Sequence, residues 1–197
     1  ARRDIEKVKI PSFIKTIGSY AFEACRQLKQ IDIPSNSELQ TIEEYAFNNS
    51  SIESIFIPPH VTKISAGAFA GCQKLRRIDI SSNSELHTIE KNAFNNSSIE
   101  SIFIPPHVTK IAEDTFSHCQ KLRRIDIPSN SELQTIEGNA FLYSSIENIF
   151  IPPQVTQISR YAFFMCQKLH LIEIDGKFEI ELYDIFPIGA IIMIPFK

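Results

Sequence analysis

The sequence predicts an α/β repeat solenoid, with parallel strands on one side and short helical or irregular segments on the other. The tripeptide Ile-Pro-Pro recurs at Ile57, Ile104 and Ile151, which gives a period of 47 residues. Each period divides into two similar halves of 23 and 24 residues, and each half ends in a strand-like segment closed by isoleucine. Because a unit of this length cannot bury its apolar side alone, it must stack on similar neighbours.

The strand of each unit is visible as alternating apolar and polar residues, as in residues 28–33 (LKQIDI), 52–57 (IESIFI) and 75–80 (LRRIDI). The alternation places Ile31 and Ile33 on one face and Gln30 and Asp32 on the other. Prolines follow most of these strands directly, where a missing N–H ends sheet pairing. We therefore expect one strand per unit, stacked in parallel through right-handed crossovers at about 4.8 Å per step.

The rest of each unit contains an isoleucine followed, at a fixed spacing, by Ala-Phe. This spacing predicts a single helical turn whose apolar side faces the core, with one isoleucine row and one phenylalanine row through the solenoid. The isoleucine row comprises Ile17, Ile42, Ile64, Ile89, Ile111, Ile136 and Ile158, and the phenylalanine row comprises Phe22, Phe47, Phe69, Phe94, Phe116, Phe141 and Phe163. Because this segment is bulkier than a strand, we expect the sheet on the inside of a curved body.

We interpret residues 1–197 as a single solenoid domain. Residues 1–10 are predicted to be an N-terminal capping strand, and 11–174 to be seven repeats. Residues 175–197 break the pattern and are interpreted as a degenerate C-terminal repeat that caps the core.

All four cysteines occupy the same position of alternate units, three residues after the core phenylalanine. Successive cysteines are thus two stacking steps apart, about 9.6 Å, which exceeds the roughly 7 Å limit between α-carbons for a disulfide. The sequence therefore predicts buried free thiols, and neither disulfides nor a zinc site.

The segments at residues 28–36 (LKQIDIPSN), 75–83 (LRRIDISSN) and 122–130 (LRRIDIPSN) match the repeat signature L-x-x-L-x-L-x-x-N. With the flanking pattern of residues 64–75 (ISAGAFAGCQKL), the chain resembles the BspA-type leucine-rich-repeat family of bacterial and protist surface antigens. The resemblance implies a right-handed leucine-rich-repeat arc with a parallel β-sheet on the concave face. It also implies cell-surface adhesion through binding of a host or matrix protein.

Composition and charge narrow the classes of function. The chain has 197 residues, 43% of them hydrophobic, and a net charge of −3, which favours neither disorder nor nucleic-acid binding. The longest apolar stretch, near residues 186–196, is too short for a helix of about 20 residues that spans a bilayer, so no direct membrane insertion is expected in this segment. The first ten residues show no secretory signal, and a chain that begins at Ala1 is expected to be a processed or excised form.

The outward strand positions give the candidate ligand-binding residues. One column of the predicted sheet alternates aromatic and acidic side chains and contains Phe56, Asp79, Phe103, Asp126 and Phe150, with Arg77 and Arg124 in the adjacent column. Exposed aromatic and arginine side chains on a rigid sheet are typical of protein-binding hot spots, so a protein or peptide ligand is predicted. Two alternatives stay open: neighbouring side chains or a loop cover each ring, or the column is a by-product of repeat duplication.

No catalytic triad, phosphate-binding loop or metal-spaced cluster appears, so we predict no enzyme, no cofactor and no metal. Possible N-glycosylation sequons begin at Asn48, Asn49, Asn95 and Asn96. The predicted location is the cell surface or the secreted fraction. The alternative is a cytoplasmic interaction scaffold, which reduced cysteines would suit.

Overall fold

The isoleucine-rich end of each unit forms a strand, and these strands build one long side of a parallel β-solenoid of about eight turns. The computed structural model describes residues 4–175, 186–187 and 189–193. Numbering all strands together along the chain, the long strands of three or four residues are β1 (Lys7–Lys9), β3 (Gln30–Asp32), β5 (Ser54–Ile57), β7 (Arg77–Ile80), β9 (Ser101–Phe103), β11 (Arg124–Asp126), β13 (Asn148–Ile151), β15 (Leu171–Ile174) and β16 (Ile191–Met193).

The long strands pair in parallel in the orders β1–β3–β5–β7, β9–β11 and β13–β15–β16. Backbone hydrogen bonds continue between these groups. The Glu100 N–H donates to the Arg76 carbonyl at 3.1 Å, and the Glu147 N–H donates to the Arg123 carbonyl at 3.1 Å. Equivalent residues of successive units therefore stay in register along the whole side.

Each unit also has a strand of two residues on a second side. These short strands are β2 (Thr16–Ile17), β4 (Thr41–Ile42), β6 (Lys63–Ile64), β8 (Thr88–Ile89), β10 (Lys110–Ile111), β12 (Thr135–Ile136) and β14 (Gln157–Ile158). They pair in parallel in the orders β2–β4–β6–β8 and β10–β12–β14. The second residue of every short strand is an isoleucine of the predicted row, and all seven are buried, which confirms that row.

The segments opposite the long strands are irregular, which confirms one of the two predicted alternatives, whereas the helical turn and with it the α part of the α/β class are wrong. None of the described residues lies in a helix, and the segment around Ala-Phe consists of turns. Each unit holds two residues with positive φ, four positions apart, such as Tyr45 (54°) and Asn49 (55°). In the turn segments, an N–H such as that of Phe47 donates to the next unit, here to Ala68 O at 2.8 Å, instead of to a residue four positions earlier.

The phenylalanine row forms a continuous stack through the core. Neighbouring rings from Phe22 to Phe163 have centroids 5.1–5.5 Å apart and planes within 13° of parallel. Phe186 extends the stack with a centroid 5.2 Å from that of Phe163. Six of the seven predicted phenylalanines are fully buried, and Phe22 at the N-terminal end is half-buried. The predicted row is confirmed.

The cysteine prediction is also confirmed, because all four cysteines are buried free thiols. Serine fills the equivalent position in the intervening units. The Cys72 thiol donates to the Phe47 carbonyl at 3.0 Å and lies 3.5 Å from the Ser50 hydroxyl. Burial raises the pKa of the Cys72, Cys119 and Cys166 thiols to about 11.

The two ends of the solenoid differ from its middle. The predicted N-terminal capping segment contains β1, which pairs with β3 at one end of its sheet. Most of the predicted C-terminal cap lies outside the described residues. Its described strand, β16, pairs in parallel with β15.

Candidate functional site

The outward-facing side chains of the long strands form a single surface, which we call the long-strand face. In β5, Ile55 and Ile57 point into the core and are buried, so the intervening Phe56 lies on the opposite face. The strand register places Phe56 beside Asp79 and Phe103 beside Asp126. The seven predicted site residues thus lie on this face, in adjacent columns.

The three phenylalanines of the long-strand face are half-buried, so they are less exposed than the sequence suggested. The alternation of the strand turns each ring outward, but a neighbouring strand flanks it. Phe150, for example, pairs in register with Glu173 of β15. The rings therefore present a fixed, partly covered surface to solvent.

Each arginine of the site forms an ion pair within its own strand. Arg77 Nε donates to Asp79 Oδ1 at 2.7 Å, and Arg124 Nε donates to Asp126 Oδ1 at 2.6 Å. The two arginine side chains remain 74% and 70% exposed, so each pair contributes little to stability. In each pair the arginine neutralises the charge of the aspartate, which lies between two phenylalanines of the column.

A shallow groove of about 380 Å³ lies on the long-strand face near the N-terminal end. Asp32 occupies the position there that Asp79 and Asp126 hold in later units. The Lys7 ammonium, 2.9 Å away, and the Gln30 amide hold the pKa of Asp32 below its usual range. The groove is lined by polar and aromatic side chains, among them Lys9, Gln30, Asp32, Ser54, Phe56 and Asp79.

Charged side chains directly before the long strands form a ladder beside this surface, with ion pairs at Arg76–Glu100 and at Lys29–Glu6, each with a closest N–O distance of 3.9 Å. Both pairs are well exposed to solvent. Such pairs contribute at most about 1 kcal/mol each to stability. The main effect of the ladder is therefore to fix the register of neighbouring units.

The turn segments also carry an exposed aromatic cluster that was not predicted from the sequence, which we call the turn patch (Tyr143, Tyr161, Phe164 and Met165). These side chains are 38–49% exposed. The Tyr161 and Phe164 rings meet edge to face at 5.5 Å. The signal that could have revealed the patch is positional, because the two residues after the core phenylalanine change from Asn48-Asn49 in an early unit to aromatic or large apolar residues here.

The turn positions His60 and His107 each contact a carboxylate of the next unit. The Nδ1–Oε1 distances are 3.1 Å for His60–Glu85 and 3.0 Å for His107–Glu132. Among the described residues, no group of three or more histidine, cysteine, aspartate or glutamate side chains is arranged to hold a metal ion. In the same part of the chain, no helix has the length and apolar character needed to cross a bilayer.

The sequons lie in the turn segments. Ser50 and Ser97, the hydroxyl residues of two of them, are buried, and Asn49 and Asn96 have positive φ. Glycosylation at Asn48, Asn49, Asn95 and Asn96 stays a prediction.

The chain is similar to several solved structures, among them two proteins named as leucine-rich and one vaccine antigen. A leucine-rich cell surface protein from Faecalibacterium prausnitzii matches 87% of this chain with 24% identity and a TM-score of 0.50, and the match spans 54% of that protein. The pneumococcal vaccine antigen PcpA matches 96% of this chain and 74% of its own, with 18% identity and a TM-score of 0.43. A leucine-rich repeat protein of T. pallidum matches 85% of this chain and 58% of its own, with 22% identity and a TM-score of 0.42.

No curated protein sequence matches the chain significantly. The model of the BspA type leucine-rich repeat region matches in six copies over residues 1–122 and 87–186. These ranges contain the long strands from β1 to β15 and the phenylalanine stack. The chain therefore belongs to the BspA-type leucine-rich repeat family.

Proposed function

We propose that this chain is a non-catalytic protein-binding module of a cell-surface antigen, which adheres to a host or matrix protein through the long-strand face. The observation that carries the proposal is the register of this face, which aligns Phe56, Phe103 and Phe150 with the Arg–Asp pairs between them. Aromatic and arginine side chains on a rigid framework are the residues that most often dominate protein-binding energy.

The spacing of the two sides supports an arc with the long-strand face inside. The stacked phenylalanine rings, which come from the turn segments, are 5.1–5.5 Å apart. Hydrogen-bonded strands lie about 4.7–4.9 Å apart. A larger repeat on the turn side would curve the solenoid toward the strands, and a concave face would give a protein ligand more contact than a flat one.

The surface location rests on the similar proteins. One is a cell surface protein and another is a vaccine antigen by name. The chain spans 54% of the first of these, so partners of the whole protein are part of the proposal.

Removing the aromatic column tests the site. We expect the triple variant Phe56→Ser, Phe103→Ser, Phe150→Ser to lose adhesion to immobilised matrix proteins and to cultured cells. The matched control is Tyr143→Ser, Tyr161→Ser, Phe164→Ser in the turn patch, which removes as many aromatic rings and should leave adhesion unchanged. Full adhesion by a folded long-strand variant would reject the proposed face.

A second candidate is an intracellular interaction scaffold. Four buried thiols favour it, because reduced cysteines are usual in the cytosol. Fractionation of the native cells separates the two candidates. Recovery in the surface or secreted fraction supports the adhesion module, and recovery in the cytosol supports the scaffold.

A further inference from the structure

The phenylalanines of the long-strand face recur with a spacing that selects a ligand conformation. They lie on alternate long strands, and paired strands are about 4.7–4.9 Å apart, so the rings repeat every ~9.4–9.8 Å. A polyproline II helix has three residues per turn and a rise of about 3.1 Å, so it repeats every ~9.3 Å. It therefore presents an equivalent residue to each successive ring.

Other regular conformations fit this spacing less well. From Phe56 to Phe150 the column measures about 18.8–19.6 Å, and six residues of polyproline II cover about 18.6 Å. An α-helix returns to the same face after seven residues, so two such intervals cover about 21 Å. An extended β-strand returns a side chain to the same side after two residues, about 6.6–6.8 Å, which misses the second ring.

Hydrogen bonding on this face also favours proline. The backbone groups of the long strands are engaged with neighbouring strands, so a ligand that crosses the face gains no backbone pairing from them. Proline has no N–H to satisfy, and a polyproline II chain displays its carbonyls as acceptors. Arg77 and Arg124 each use Nε on an aspartate and stay largely exposed, which leaves their terminal N–H groups to donate to such carbonyls.

The charge of the face points to an uncharged ligand. The Arg–Asp pairs balance one another between the rings, so the column consists of aromatic surfaces separated by neutral pairs. Aromatic-lined grooves are the sites at which other domains bind proline-rich segments.

We propose that the long-strand face binds a proline-rich segment in the polyproline II conformation, with the segment running across the strands and placing every third residue on Phe56, Phe103 or Phe150. This inference rests on the proposed function and specifies the conformation of its ligand.

Oligoprolines of two, four, seven and ten residues test the spacing, because the first three reach one, two and three rings and the fourth reaches no further ring. With a fluorescent label at one end, their binding to the full chain can be followed by anisotropy. We expect affinity to rise about tenfold with each added ring, to level off beyond seven residues, and to change little between low and moderate salt. A ten-residue Gly-Ser peptide that binds as tightly as the oligoproline, or an affinity independent of length, would overturn the inference.

Single substitutions place the ligand on the face. We expect Phe103→Ser to weaken the ten-residue oligoproline about tenfold or more, whereas Tyr143→Ser in the turn patch has no effect. If Phe103→Ser disturbs folding, Arg124→Met provides a second test, because it removes all the exposed N–H donors of this side chain and should also weaken binding. Unchanged binding by the folded Arg124→Met variant contradicts the inference, as does unchanged binding by a folded Phe103→Ser variant.

The outcomes separate this inference from the proposed function. Loss of matrix adhesion in the triple phenylalanine variant, together with no oligoproline binding by the unmodified chain, rejects the polyproline ligand and retains the face. Unchanged adhesion in that variant rejects the proposed function itself.

Discussion

Truncation of a phenylalanine in the middle of the stack should destabilise the solenoid far more than truncation at its end. The Phe94 side chain is fully buried. Its ring lies between those of Phe69 and Phe116, with centroid distances of 5.3 and 5.5 Å and planes within 2° of parallel. Phe94→Ala removes this burial and both ring contacts, so we expect the free energy of unfolding to fall by about 3–5 kcal/mol.

Two further variants separate burial from ring stacking. Phe22 is half-buried and has one described ring neighbour, Phe47, at 5.1 Å, so Phe22→Ala should cost about half as much, roughly 1.5–2.5 kcal/mol. Phe94→Leu keeps most of the buried volume and loses the two ring contacts, which predicts a cost of about 1–2 kcal/mol.

Equilibrium urea denaturation followed by circular dichroism measures all three variants. The slope of each transition must be compared as well as its midpoint, because a repeat protein whose units uncouple unfolds over a broader range. Equal costs for Phe22→Ala and Phe94→Ala would refute the view that the stack is a continuous core. A neutral Phe94→Leu would refute the contribution of ring stacking.

Three other predictions concern single features of the core and turns. Ser65→Ala should raise the free energy of unfolding by about 1 kcal/mol, because the buried Ser65 hydroxyl has no hydrogen-bond partner and Ala112 fills the equivalent position of the next such unit. Thermal or urea unfolding measures this, and a loss of stability would contradict it. Gly67→Ala should lower it by about 1–3 kcal/mol, since φ is +62° and the added methyl would meet the Tyr45 ring; the same substitution at Gly18, where nothing lies within 4 Å, is the control. The free energy of unfolding should fall as the pH rises from about 9 to about 11, because the raised pKa keeps the thiols of Cys72, Cys119 and Cys166 protonated in the folded state while they ionise in the unfolded state. Replacing these three cysteines with serine should remove that pH dependence.

The core and the long strands could be predicted from the sequence because both follow from periodic apolar positions. Two isoleucines that lie two residues apart in a strand, such as Ile55 and Ile57, point to the same side, and that side faces the core. The same repeat fixed the spacing of the cysteines, and hence their free state. Burial and register are properties of the repeat, so both could be predicted from the sequence alone.

The turn segments were not predictable in the same way. An apolar pair at helical spacing is compatible with one turn of helix and with a run of turns, and what decides between them is the sign of φ. At Gly67 and Asn92 the residue type favours positive φ, whereas Tyr45 and Met165 adopt it although their side chains disfavour it. The residue preference is therefore visible in only some of the units. The ion pair of Arg77 with Asp79 was not predicted, because it joins two residues of one strand and does not follow from the alignment of columns between strands.

The hydrogen bonds between successive Ala-Phe segments make one side of the solenoid electrically polar along its axis. The Phe47 N–H donates forward to Ala68 O and the Phe94 N–H donates forward to Thr115 O, whereas other bonds between units run backward, such as that from the Glu43 N–H to Ile17 O. Peptide dipoles that point one way add, as they do in a helix, whereas those of a β-sheet largely cancel. Each unit therefore joins its neighbours with a fixed polarity, and a unit inserted in the reverse direction would set carbonyl against carbonyl.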